Sequence, residues 1–305
     1  MFVEQCMNGV QLGLLLFLLA AGLSLVFGIM NLVNLAHGSL YMIGAYLAVT
    51  FSVVLDSFFL GLLAALAGTL VLGIVLDLAI FRRLYGRDHL DHVLATFGLV
   101  FFFNEAVRLI WGPDTKPLPV PEALSGWVEL IEGIPYPAYR LLIIVVGLAV
   151  AAMLYLLVQH TRIGALIRAG ASDRETIGAL GINVNLLYTL VFGIGACLAA
   201  LAGTMAAPLT TVHIGMGENI LILAFVVIVI GGIGSVKGAF VAALMVGIID
   251  TLGRAYLPGI LQMTMSRAAA SAAGPGLSAM LIYLMMAVVL IVRPAGMFPA
   301  PGAHK

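Results

Sequence analysis

Two adjoining stretches decide the fold: Gly13-Leu-Leu-Leu-Phe-Leu-Leu-Ala-Ala-Gly-Leu-Ser-Leu-Val-Phe-Gly-Ile-Met30 and, directly after it, Asn31-Leu-Val-Asn-Leu-Ala-His-Gly-Ser-Leu-Tyr41. The first is apolar over nearly the length a bilayer-spanning helix needs, about 20 residues. The second sets two asparagines, a histidine and a tyrosine between stretches otherwise suited to lipid, where a polar side chain needs a partner or a task. The whole chain resembles the first stretch more than the second: 63% of its 305 residues are hydrophobic, 9% are charged, and the mean hydropathy is +1.17. A soluble domain carries about a quarter charged residues, so the composition predicts an all-α, polytopic transmembrane helical bundle.

Working outward, further apolar stretches run over residues 39–55, 58–81, 93–111, 141–158, 186–207, 220–233, 239–252 and 277–292. Several are short or interrupted by glycine, so the count is eight to ten spans, some broken or re-entrant. Broken spans survive in a membrane only where protein or a cavity covers the backbone. The start, Met1-Phe-Val-Glu-Gln, lacks the basic region of a signal peptide, and the first apolar run is expected to stay as a span. No hydrophilic stretch of domain size interrupts the chain, so residues 1–305 read as a single transmembrane domain. Gly195, Ala199, Gly203 and Ala207 recur at four-residue spacing, which places small residues on one helix face and predicts close helix packing.

Arginine and lysine set the orientation, because basic loops stay cytoplasmic. Arg82, Arg83 and Arg87 mark one such loop, and Arg162, Arg168 and Arg174 mark another over residues 160–185. The acidic, proline-rich connection 112–139 should face outward, and a tail with Arg293 and Lys305 inward. Arg254 and Arg267 fall in a predicted outer loop, against the rule.

Charge and cysteine content exclude several classes. The net charge is zero, so nothing argues for nucleic acid. Cys6 and Cys197 have neither the number nor the spacing of a disulfide framework or zinc site. In Asp88-His-Leu-Asp-His92 the ligand types suit a metal, but the spacing matches no metal site. The octapeptide Gly231-Gly-Ile-Gly-Ser-Val-Lys-Gly238 lacks the Gly-Lys-Ser/Thr ending of a P-loop. With Gly231, Gly232 and Gly234 it reads either as a pathway or hinge break or as a tight turn between two helices. No catalytic constellation stands out, and the chain is expected to be no enzyme.

Glu105 and Arg108 lie three apart within a span. On a helix they share a face and pair, and the expected place for such a pair is the bundle interior. Asp77 and Asp250 lie near span ends and are expected at the interface. In the loop 160–185, Ser172 or Asp173 is a plausible N-cap for a short helix that Gly181 would stop. Ile177 and Leu180 would give that helix an apolar face able to dock on a cytoplasmic partner.

Asn34-Leu-Ala-His-Gly-Ser-Leu-Tyr-Met-Ile-Gly-Ala-Tyr46, the loop from Arg168 to Ile182, and residues 226–238 together resemble the LivH-type permeases of bacterial branched-chain amino acid ABC transporters. The blocks fall in the expected order, and the similarity extends over nearly the whole chain. Related permeases for urea and short amides look much the same. The resemblance implies a multi-pass subunit of the bacterial cytoplasmic membrane. Its implied partners are a second, similar permease, two ATPase subunits that bind the ATP, and an extracytoplasmic solute-binding protein, with lipid around it. No cofactor is implied for the chain itself. It also implies contact of Arg168, Asp173, Arg174, Glu175 and Gly181 with an ATPase.

For the polar insert, two readings stand. On a continuous helix Asn34, His37 and Tyr41 would share one stripe; if Gly38 broke that helix, freed backbone groups would join them and Asn31 at a lined pathway. Alternatively, these side chains satisfy one another in packing between helices. The expected function is import of branched-chain or other hydrophobic amino acids by alternating access. The alternative is a self-contained channel or secondary transporter for a small solute such as urea or an amide.

Overall fold

The computed structural model describes residues 2–131, 134–172 and 174–298. It is a helical bundle: α1 (Phe2–Met30), α2 (His37–Val54), α3 (Phe58–Leu84), α4 (His89–Trp111), α5 (Ala138–His160), α6 (Arg162–Ser172), α7 (Arg174–Ala179), α8 (Val184–Ala206), α9 (Met216–Gly231), α10 (Val236–Leu261) and α11 (Arg267–Val292). Eight of these are long and apolar enough to cross a membrane, and α9 is a shorter apolar helix. The connection between α4 and α5 carries a two-stranded antiparallel hairpin, β1 (Trp127–Ile131) with β2 (Ile134–Pro137), the one sheet among the described residues.

α1 is the hub. It is buried along most of its length and packs against α5, α8, α9 and α10. Its apolar side chains point to all sides of the axis, as expected of a helix enclosed by others rather than one with a single buried face. Glycine permits the enclosure: a Cβ on Gly13 would lie 2.8 Å from the Ala243 carbonyl oxygen of α10, and one on Gly22 would lie 2.9 Å from the Gly195 carbonyl oxygen of α8. Close approach of this kind supplies the van der Waals contact that drives association where lipid offers no hydrophobic gain. The small-residue stripe of α8 serves the same purpose, with Gly203 set against the Tyr41 carbonyl of α2.

The two ends of the chain share one plan. α1, a break, α2, a short turn, α3 and α4 are answered by α8, a break, α9, a short turn, α10 and α11. With the basic loops inside, α1 runs inward and α8 outward, so the two halves have opposite orientation, as in many transport proteins built from inverted repeats. Glycine contacts join the halves, among them Gly22 with Gly195, Gly38 with Gly217, Gly28 with Gly234 and Gly13 with Gly247. α3 and α10 each carry a buried aspartate followed by an arginine toward the far end. Asp250 of α10 accepts both its bonds from the Arg254 Nε, at 2.8 and 2.9 Å, one turn away. In α3 the arginine lies one residue further on, and a π-helical turn over Asp77–Phe81 absorbs the extra residue.

That arrangement corrects two expectations. Asp77 and Asp250 do not simply reach the interface: both are buried and paired. Arg254 belongs to α10 rather than to a loop and is neutralised by Asp250.

Candidate functional site

The polar insert is neither one continuous helix nor a helix broken at Gly38. α1 ends at Asn31, which takes a left-handed φ of 49° while its N–H donates to the Phe27 carbonyl at 2.9 Å. Asparagine tolerates that conformation better than most residues, so Asn31 acts as an exposed helix stop. Residues 31–36 then leave helical geometry and climb back into the bundle. His37, the first residue of α2, lies beside Gly22, about 12 Å above the end of α1 at 1.5 Å per residue. Asn34 therefore sits on the irregular segment, and only His37 and Tyr41 share α2.

Asn34 and His37 are buried completely or nearly so. Neither the amide of Asn34 nor either ring nitrogen of His37 has a well-formed hydrogen bond among the described residues; the Leu19 carbonyl of α1 is the backbone acceptor in the neighbourhood of the ring. An unsatisfied buried polar group costs about 1–3 kcal/mol. The two groups are thus not explained by mutual satisfaction in packing. Tyr41 is buried, its backbone covered by Gly203.

The second break brings α9 to the same level. After α8, Val212 exchanges hydrogen bonds with Lys116 of the outer connection at 2.8 and 3.1 Å, and Gly215, with φ of 86°, turns the chain into α9. The N-termini of α2 and α9 then meet inside the bundle. A Cβ on Gly38 would lie 2.3 Å from the Gly217 carbonyl oxygen, and one on Gly217 would lie 2.1 Å from that of Gly38. Two helix N-termini converging raise the local positive potential. Glu218, in the first turn of α9, partly answers it and accepts from the Asn104 Nδ2 of α4 at 2.5 Å. Glu218 escaped the sequence reading because it stands alone at the head of an apolar run. Its signal was the glycine pair Gly215 and Gly217 before it.

Gly231, Gly232 and Gly234 form a tight turn between α9 and α10. Gly231 lies against Gly238, and Gly232 and Gly234 adopt φ of 102° and 78°. The chain beyond α11 returns to cap this turn, Met297 and Phe298 donating to the Ile230 and Gly231 carbonyls at 2.9 Å each. Glu105 and Arg108 do pair, at 2.9 Å, but with side chains 60% and 53% exposed on the outer face of α4. The expected interior location is wrong. α4 packs so lightly on the rest of the chain, mainly through α2, that this face stays uncovered.

The basic segment 160–185 is a helix pair, α6 and α7. Arg168 donates from Nη1 to the Val158 carbonyl in the last turn of α5, where a cation also complements the helix dipole. Asp173 lies outside the described residues, as do the side chains of Arg174 and Glu175. Gly181, at φ of 82°, stops α7, with its N–H donating to the Gly178 carbonyl and that of Ile182 to the Ile177 carbonyl. The anticipated apolar face is divided: Ile177 is buried against its own chain, and Leu180 is 73% exposed.

Just beyond this segment, the buried Asp77 ties α3 to the start of α8. It accepts from the Thr189 hydroxyl at 2.6 Å and from the Tyr85 hydroxyl, and Arg82 lies 3.6 Å away. Burial first, then the hydrogen bond to and charge of Asp77, push the Tyr85 phenol above its ordinary range and keep it a donor. In the Asp88 to His92 stretch, the His92 Nε2 lies 2.8 Å from the Leu84 carbonyl, and no three potential metal ligands converge among the described residues.

A cavity of about 720 Å³ lies between α1, α5, α6 and α10, at the end of the bundle that carries the basic segment 160–185. Arg168 and Gly234 line it, but no residue of the insert 31–41 does.

Among the described residues, nine apolar helices around an interrupted, polar centre define a multi-pass membrane protein. The chain belongs to the family described as branched-chain amino acid transport system / permease component, whose model matches residues 6–292. It is 30% identical over 318 residues to the high-affinity branched-chain amino acid transport system permease protein BraD of Pseudomonas aeruginosa, covering 100% of this chain and 98% of that protein. The corresponding LivH of Escherichia coli is 29% identical over 323 residues, covering 100% and 97%. A ribose import permease protein, RbsC of Escherichia coli, is 26% identical over 235 residues, covering 72% and 71%. No solved structure matches the chain.

Proposed function

We propose that this chain is one of two permease subunits of an ATP-driven importer for branched-chain amino acids in a bacterial cytoplasmic membrane. A second permease, two ATPases that bind the ATP, and an extracytoplasmic solute-binding protein complete it. The observation that carries the reading is the meeting of the α2 and α9 N-termini beside the buried Asn34 and His37, within a chain similar along its whole length to BraD and LivH. Interrupted helices whose N-termini face the membrane interior suit the carboxylate of an amino acid, and apolar surroundings suit its side chain. Gly38 and Gly217 touch in this conformation, so passage requires α2 and α9 to part, which would give Asn34 and His37 a polar partner in solute or water.

The drive would enter through α6 and α7. Leu180 offers an exposed apolar contact, and Arg174, Glu175 and Asp173 neighbour it in sequence as charged contacts for an ATPase. From there the Asp77 bonds to Thr189 and Tyr85 would carry movement of the loop into α3 and α8. The test is uptake of labelled leucine into liposomes that hold the chain with its co-purifying permease and ATPases, the binding protein being supplied outside. Uptake should require ATP and every subunit. Uptake by this chain alone would overturn the reading in favour of a self-contained transporter.

A further inference from the structure

The cytoplasmic cavity is chemically two-ended. Its walls are Phe17, Leu25 and Ile29 of α1, Leu148 of α5 and Phe240 of α10, while Arg168 and Lys237 stand at its cytoplasmic rim. No aspartate or glutamate is among the described residues that line it. Lys237 lies in the first turn of α10, whose N-cap is Ser235, so the positive end of a helix faces the same rim. Deeper in, the Ser24 hydroxyl borders the cavity, is fully buried and has no hydrogen-bond partner among the described residues.

No residue of the insert 31–41 lines the cavity. At about 100° per residue, Phe17, Ser24 and Gly28 share one side of α1, while Leu25 and Ile29 turn toward the side of Gly22, nearer the end of the helix than His37. The cavity's α5 wall includes Leu148 and Tyr155, both about half exposed, so the slot is not enclosed on that side.

We propose that this cavity is a binding site for an anionic phospholipid of the cytoplasmic leaflet. The phosphate rests on Lys237, on the N–H groups of Arg168 left after its bond to Val158, and on the α10 N-terminus; an ester oxygen accepts from Ser24; an acyl chain fills the slot along α1. Basic pockets between membrane helices at the cytoplasmic face hold anionic headgroups by this charge complementarity, and an acyl chain removes the penalty of an empty apolar void. The site does not depend on which solute the protein carries.

The experiment is lipid retention, read by native mass spectrometry, after the permease complex is moved into nanodiscs of equal phosphatidylglycerol and phosphatidylcholine. The wild type should retain phosphatidylglycerol selectively. Lys237→Gln should lower that preference about fivefold, the effect of one cation near the surface. Ala152→Trp, which fills the slot from α5 without touching the charges, should abolish retention, and it carries the test if Lys237→Gln does not fold. Equal retention of the two lipids, or unchanged retention in Ala152→Trp, would overturn the proposal. So would displacement of the bound lipid by millimolar free leucine, which would assign the cavity to the solute.

Discussion

The two breaks occupy equivalent places in the two halves, yet they are satisfied differently. The break before α9 is held by the Val212–Lys116 backbone pair at the outer surface and by the bond between Asn104 and Glu218. The break before α2 runs from the exposed Asn31 into the bundle, and the buried Asn34 and His37 at its inner end lack such well-formed partners among the described residues. A membrane protein that keeps unsatisfied polar groups at its centre holds a local instability that a conformational change or a solute can relieve. One break therefore reads as an anchor and the other as the part that responds. The paired Asp–Arg sites are asymmetric in the opposite sense, since Asp77, in the half with the unsatisfied break, gathers Thr189, Tyr85 and Arg82 while Asp250 holds only Arg254 among the described residues.

The harshest way to break this symmetry is Gly217→Val. Its Cβ would fall 2.1 Å from the Gly38 carbonyl oxygen, and forcing the two N-termini apart should destabilise the detergent-solubilised protein by about 3 kcal/mol, the upper end of overpacking costs. Gly98→Ala is the control, because nothing lies within 4 Å of its Cβ; its thermal unfolding should be unchanged or slightly raised. If Gly217→Val melts like the wild type, the contact does not hold the halves together.

Asp77→Ala comes next. It leaves Thr189, Tyr85 and Arg82 without their shared acceptor, and we expect a loss of about 2 kcal/mol in the same assay. ATP turnover should also become less dependent on solute, because the inner ends of α3 and α8 are no longer tied.

His37→Leu should act in the opposite direction on stability. Replacing a buried ring with no well-formed hydrogen bond by an apolar side chain is expected to raise stability by about 1 kcal/mol, while uptake falls. Lower stability with normal uptake would mean that His37 is well satisfied where it lies.

The smallest effect belongs to Asp250→Ala, which should destabilise by less than about 1 kcal/mol. Its partner Arg254 is 55% exposed and can reach water. A loss equal to that of Asp77→Ala would erase the proposed difference between the halves.

Much of the fold is legible in the chain because lipid imposes a simple demand. Every long apolar run forms a helix, and the stripe Gly195, Ala199, Gly203 marks a face where another backbone approaches. Gly181 ends α7 as expected, since a left-handed φ leaves few other choices. Depth and direction are what stay hidden. By composition Asn31 is a candidate pathway residue, whereas its φ makes it a helix stop. Three-residue spacing fixes Glu105 and Arg108 as partners locally, but which way the pair faces depends on how α4 leans. The inverted plan is equally invisible, as the halves share element order more than residues.

By itself, then, the sequence determined the solvent, the approximate spans and the family signature, all of which follow from local composition and spacing. Only the tertiary structure decided that α2 starts inside the bundle, that Gly38 and Gly217 close its centre, and that Asn34 and His37 lie beside that closure without full partners among the described residues. Those facts depend on contacts between residues far apart in the chain. The free energy of a buried polar group is set by what surrounds it rather than by its neighbours in sequence.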